Sequence, residues 1–142
     1  MASSARVSPL RRVIRLVVVA IVAFLGVTYV ALEGNDVATI RTLGENNNWR
    51  ETHVWIANAD NGSLWVEAAR PDRPWLEDLR RTANVELIHE GATKRWHAVV
   101  VDDPEAQAHV RDLLHAKYGW ADSWVGMLQD TSQSVPVRLD PR

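Results

Sequence analysis

The chain contains no cysteine. That excludes a disulfide scaffold, thiolate zinc sites, iron–sulfur clusters and a cysteine nucleophile. The compact chemical motifs are missing as well: the sequence holds no G-x-G-x-x-G, no P-loop, no H-E-x-x-H and no G-x-S-x-G. Aromatic residues other than tryptophan are scarce, with two Tyr and one Phe beside seven Trp. There is no internal repeat and no low-complexity run. What is present, 46% hydrophobic and 24% charged residues over 142 positions, suits one folded domain and excludes a disordered chain.

The net charge of −2 is unevenly spread. Arg6, Arg11, Arg12 and Arg15 all precede residue 16, so residues 36–142 carry 12 basic and 17 acidic groups, a balance of −5. A nucleic-acid-binding domain shows a basic face and a positive balance, so no nucleic-acid partner is expected.

Leu16 to Leu32 reads LVVVAIVAFLGVTYVAL, 17 residues without a charge, and with Val13 and Ile14 the apolar span reaches 20 residues interrupted by Arg15. A membrane-spanning helix needs about 17–25 residues. Arg15 can snorkel to the headgroups at one end, and Tyr29 suits the interface at the other. A cleaved signal peptide shares the basic start, but its apolar core is usually about 7–15 residues, and the small-x-small cleavage pattern fails at Tyr29. A buried core helix is a third reading, opposed by the lack of a polar face. Residues 1–35 therefore read as a basic stub, a single transmembrane anchor and the start of a linker, and residues 36–142 as the domain. The four arginines before the span, against Glu33 and Asp36 after it, predict a cytoplasmic amino terminus and an extracytoplasmic domain.

The remaining sequence alternates short β-branched runs with turn clusters. Val37–Thr42, Thr52–Ala57, Ser63–Ala69, Asn84–His89, Thr93–Val101 and Ser134–Leu139 read as strands. Asn58 to Gly62 and Glu90 to Ala92 read as hairpin turns. Pro136 predicts that the last strand lies at an edge or carries a bulge. Pro74 opens a short helix to Arg81, with Trp75, Leu76 and Leu79 at helical spacing. Asp103–Pro104 is an N-cap followed by proline at the first helical position, and that helix runs to Gly119. Trp120, Trp124, Val125 and Leu128 add a further helical turn or two. Six short strands with two hairpins predict a small antiparallel barrel rather than a βαβ sheet.

The chemical candidates are few. His109 and His115 lie about 120° apart around a helix, at odds with a shared metal, and no carboxylate pair or Cys completes a site for His53, His89 and His97, so no metal is expected. Arg70–Pro71–Asp72–Arg73–Pro74–Trp75 is the most informative stretch. It sets two guanidiniums before a helix N-terminus, where backbone N–H groups and the helix dipole also favour an anion such as phosphate. The plainer reading is a solvated turn with Trp75 plugging the barrel end. Trp55 and Trp65, on the arms of the first hairpin, can pair across strands or line an apolar pocket.

Several segments taken together resemble a known family. They are Thr42–Leu43–Gly44, Trp49 to Ile56, Gly62 to Val66, Arg70–Pro71–Asp72–Arg73–Pro74–Trp75–Leu76–Glu77–Asp78–Leu79–Arg80, Asn84–Val85–Glu86–Leu87, Lys117–Tyr118–Gly119–Trp120–Ala121 and Val135–Pro136–Val137. They resemble the deazaflavin-dependent nitroreductases, a family of split β-barrel flavoproteins related to pyridoxamine-phosphate oxidase. The resemblance runs from about Val37 to Leu139 and implies a small antiparallel split β-barrel with two to three helices, so that with the N-terminal transmembrane helix read from the apolar run the chain is expected to be α+β. It implies a deazaflavin coenzyme, or FMN as the alternative, and hydride transfer to a quinone, nitro compound or similar lipophilic electron acceptor. It places Arg50, Arg70 and Arg73, with Trp75, on the cofactor side. Tyr118, Trp120 and Trp124 are assigned to the acceptor side, and no proton donor is fixed beyond Tyr118 as the candidate phenol. A homodimer is implied as well. The sequence departs from the family's T-T-G-R-x-S-G after the first strand, where it reads Thr42–Leu43–Gly44–Glu45–Asn46–Asn47–Asn48–Trp49–Arg50. That departure sets a second function beside the reductase: a non-catalytic split-barrel module binding a small apolar ligand or partner protein at the membrane.

Overall fold

The computed structural model describes residues 9–59 and 61–142. Arg6 of the basic stub and Asp60 of the first hairpin turn lie outside the described residues. Among those described there are four helices and six strands. They are α1 (Pro9–Glu33), β1 (Val37–Leu43), β2 (Trp49–Asn58), β3 (Leu64–Ala68), α2 (Pro74–Arg81), β4 (Asn84–His89), β5 (Ala92–Val100), α3 (Pro104–Tyr118), α4 (Trp120–Leu128) and β6 (Val135–Pro141). The strands close into an antiparallel barrel in the order β1-β2-β3-β6-β5-β4. The chain is thus α+β, with an apolar N-terminal helix ahead of a small barrel and three further helices.

Side-chain alternation makes the barrel. Along β2, Val54 and Ile56 point into the core while Trp55 and Ala57 face outward. The core joins Ile40, Val66, Leu87, Val137 and Leu139 to one helix, α2, whose Trp75, Leu76 and Leu79 stop one end of the barrel. Burying Leu76 completely contributes about 1.5–3 kcal/mol. A second apolar cluster lies outside, where Val110, Leu114 and Tyr118 of α3 cover Ala57 and Trp65. Asp103 caps α3 by accepting the Ala106 N–H at 3.2 Å.

Three expectations are corrected in detail. First, β6 is not an edge: it pairs with both β3 and β5. Pro136 fits because its carbonyl accepts the Val101 N–H at 3.0 Å just past the end of β5 at Val100, so its missing donor falls where that ladder stops. Second, Trp55 and Trp65 are not cross-strand partners. Trp65 lies opposite Ala57, and Trp55 stacks on Tyr118 at a centroid distance of 4.5 Å and an angle of 15°. Third, β2 starts at Trp49, before the expected Thr52, because its polar first residues still pair with β1 from Leu43 to Ile40. The β4–β5 turn needs only Glu90 and Gly91, both at positive φ (50° and 77°), which matches the twist of a tight hairpin.

The junction after α1 is clamped to the barrel. Asn35 Nδ2 donates to the Ala31 carbonyl at 3.0 Å, and Glu33 meets His53 at 3.1 Å. Trp55 Nε1 donates to the Leu32 carbonyl at 3.3 Å, and Lys117 Nζ reaches Asp36 at 2.6 Å. Gly34 lies so close that a Cβ there would meet the Val30 carbonyl oxygen at 2.6 Å. α1 is long and apolar enough to cross a membrane, and Ala31 is its buried residue.

Candidate functional site

A cavity of about 450 Å³ lies against β2. It is walled by Leu32 and Glu33 at the end of α1, Trp55 on β2, Arg73 and Trp75 at the start of α2, Arg111 on α3 and Val125 on α4. Strand pairing and the α2 plug bring Arg50 to the same cavity. Three of the four residues assigned to the cofactor side, Arg50, Arg73 and Trp75, therefore converge there from separate segments.

Their electrostatic situations differ. Arg50 donates through Nε to Asp78 at 2.8 Å, leaving its terminal N–H groups for other partners. Asp78 is 2% exposed and also accepts from Thr42 Oγ1 at 2.9 Å and from Arg81. Burial pushes its carboxyl up, and the hydrogen bonds from Arg50, Thr42 and Arg81 outweigh that, holding the pKa below its ordinary value. Arg111 bridges Glu67, at 2.8 Å, and Asp122. Burial opposes the Arg111 charge, yet the two carboxylates raise its pKa above the ordinary value. Arg73 has no carboxylate within ion-pair distance and donates no side-chain hydrogen bond among the described residues, although it lines the cavity beside the start of α2. Glu67 Oε1 is a buried oxygen that accepts no hydrogen bond, also in the cavity wall. Such an atom costs stability until a donor reaches it.

Arg70 does not line the cavity; Asp72 holds its guanidinium. Tyr118 is enclosed behind the cavity. Its hydroxyl donates to the Asp36 carbonyl at 2.6 Å and accepts the Ile56 N–H at 3.0 Å. Burial is the main cause that pushes its pKa up, to about 12. Trp120 is exposed on α4, and Trp124 packs on α1, its Nε1 donating to Thr28 Oγ1 at 3.2 Å. Among the described residues, Asp36, His89 and Glu90 form a grouping whose ligand atoms lie within 4.8 Å of one another. Asp36 there is already engaged by Lys117 and His89.

Sequence reasoning passed over Asp78 and the Glu67–Arg111–Asp122 bridge. Asp78 had a signal: it stands three residues after Trp75 and next to Leu79, on the apolar side of α2. The bridge had none, because it joins β3, α3 and α4 across 55 positions.

No family model matches the sequence, and no curated protein matches it. Solved structures do. A conserved hypothetical protein of Mycobacterium tuberculosis is similar at 22% identity and TM-score 0.62, over 82% of this chain and 78% of that one. A pyridoxamine 5′-phosphate oxidase-type protein of Listeria innocua aligns at 13% identity and TM-score 0.57, over 79% and 88%. An F420-H2-dependent reductase aligns at 15% identity and TM-score 0.55, over 72% and 93%. These likenesses, at identities of 22% and below, establish the architecture: the chain carries the split-barrel fold found in pyridoxamine 5′-phosphate oxidase-type proteins and F420-dependent reductases.

Proposed function

We propose that the protein is a membrane-anchored oxidoreductase that binds a deazaflavin coenzyme, or FMN, and reduces a lipophilic acceptor such as a quinone or nitro compound. The observation that carries this reading is the cavity in which Arg50, Arg73 and Trp75 meet beside the end of α1. The residues present suit such a cofactor. Arg73, with no carboxylate within ion-pair distance among the described residues, and the terminal N–H groups of Arg50 suit a phosphate. Trp55 offers apolar ring surface to a flat heterocycle, and the edge of the buried Trp75 closes the cavity beside it. When bound, the cofactor supplies the hydride chemistry. The chain's residues bind and orient it: Arg111 fixes the Glu67 carboxylate, and Tyr118 fixes the Trp55 plane by stacking. In this reading α1 spans the bilayer with its amino terminus cytoplasmic and the barrel outside. Trp120 and Trp124 lie on the acceptor's approach.

A second reading, a non-catalytic module for a small apolar ligand, is favoured by one observation. Arg50 and Arg111 already meet carboxylates, so of the three cavity arginines Arg73 alone lacks one among the described residues. Fluorescence titration of the full-length chain in detergent with FMN and with a deazaflavin coenzyme separates the two. The reductase reading expects micromolar binding of at least one, weakened about tenfold or more by Arg73→Glu, since a charge-assisted hydrogen bond contributes about 1.5–3 kcal/mol. Absence of binding by both cofactors rejects it in favour of the module.

A further inference from the structure

α4 has two apolar sides with different company. Ala121 and Asp122 are buried toward the domain, and Val125 and Gly126 line the cavity. Trp120, Trp124, Met127 and Leu128 follow the i, i+4, i+7, i+8 pattern and form one stripe about 100° wide. Within it Trp120 is 56% exposed, Met127 73% and Leu128 47%. The helix carries a single charged residue, Asp122, and that is buried in its bridge to Arg111. A solvated helix face normally carries charge, and this one carries none.

The stripe is continuous with the apolar surface of α1. Trp124 packs on Phe24 at 5.6 Å between ring centroids and donates to Thr28. Those two positions precede Leu32, the end of the uncharged run, by four and eight residues. At about 1.5 Å per residue, α4 touches α1 roughly 6–12 Å below the end of its apolar stretch. An amphipathic helix lying in the membrane interface buries its apolar face by about 5–10 Å. If α1 crosses the bilayer, α4 is already held at headgroup depth, and tryptophan is the side chain that favours that depth.

We infer that α4 is an interfacial membrane helix. Its Trp120–Trp124–Met127–Leu128 stripe dips into the lipid surface, which places the cavity wall formed by Leu32, Val125 and Gly126 at the level where a lipid-dissolved molecule arrives. The inference rests on the anchoring reading of α1, and its occupant is the lipid surface itself.

Because the chain has no cysteine, an introduced one is labelled uniquely. Full-length Met127→Cys, Val19→Cys and Glu45→Cys variants carry a nitroxide and are reconstituted in nanodiscs of phosphatidylcholine and phosphatidylglycerol. Collisional relaxation by oxygen and by an aqueous nickel chelate then reads the depth of each label. Met127 is expected to be relaxed severalfold more by oxygen than by nickel, Val19 more strongly still, and Glu45, in the β1–β2 turn, mainly by nickel. A lipid-deep Val19 with a water-exposed Met127 overturns the inference and leaves the anchor standing. Nickel access at both overturns the anchor and the inference together. Dipolar broadening between Met127 labels with low oxygen access assigns the stripe to a second copy of the chain, and also overturns it. Met127 is so exposed that its replacement removes no core packing.

Discussion

Replacing Asp78 with asparagine tests the clasp that joins the α2 plug to the barrel floor. The substitution removes the charge and keeps the shape, so it imitates the protonated carboxyl. In the folded protein the carboxylate is 2% exposed and receives Thr42, Arg50 and Arg81. Hydrogen bonds to a buried charge contribute about 1.5–3 kcal/mol each. The two arginines are nearly half exposed and rehydrate when released, which discounts their share. The remaining amide oxygen still serves Thr42. The expected loss is about 2 kcal/mol, or roughly 8 °C in Tm for a domain of this size. The assay is thermal unfolding of the full chain in detergent, followed by circular dichroism across pH. Asp78 has a folded pKa below its unfolded value, so its stabilisation is present above the unfolded pKa and is lost as pH falls through the folded pKa. The difference in Tm should therefore be full at pH 7 and shrink as pH falls below the unfolded carboxylate value. A difference under about 2 °C at pH 7, or one that persists undiminished at pH 2, refutes the reasoning.

Tyr118→Phe should cost about 1–3 kcal/mol, because the Ile56 N–H loses its buried acceptor. The phenol's folded pKa is raised to about 12, so wild-type stability is whole below the unfolded value and falls as pH rises from about 10 toward 12. Alkaline unfolding curves should show that loss in wild type and not in the variant; parallel curves contradict it. The family resemblance also predicts a homodimer. Sedimentation of the detergent-solubilised chain should give twice the chain mass, and a monomer at tens of micromolar rejects it.

Much of the architecture was legible locally. β-branched runs set off by Asn, Gly and Pro marked the strands, and Pro74 and Asp103–Pro104 marked the helix starts, because strand alternation, turn conformation and N-capping depend on neighbours a few residues apart. The uncharged stretch from Leu16 to Leu32 declared itself for the same reason. The small barrel was expected, but the strand order that closes it was not. Pro136 looked like an edge residue, and only the ending of β5 at Val100 shows why it fits inside. The site divides along the same line. The sequence by itself supplied Arg70 and Arg73 as candidates, through a turn that sets cations before a helix, and the family resemblance added Arg50 and Trp75. Tertiary structure alone decided their company: Arg50 tied to Asp78, Arg73 in the cavity wall with no carboxylate within ion-pair distance among the described residues, and Tyr118 closed in beneath Trp55. Ion pairs and burial depend on which distant segments the barrel brings together, and a charge in the sequence does not name its partner.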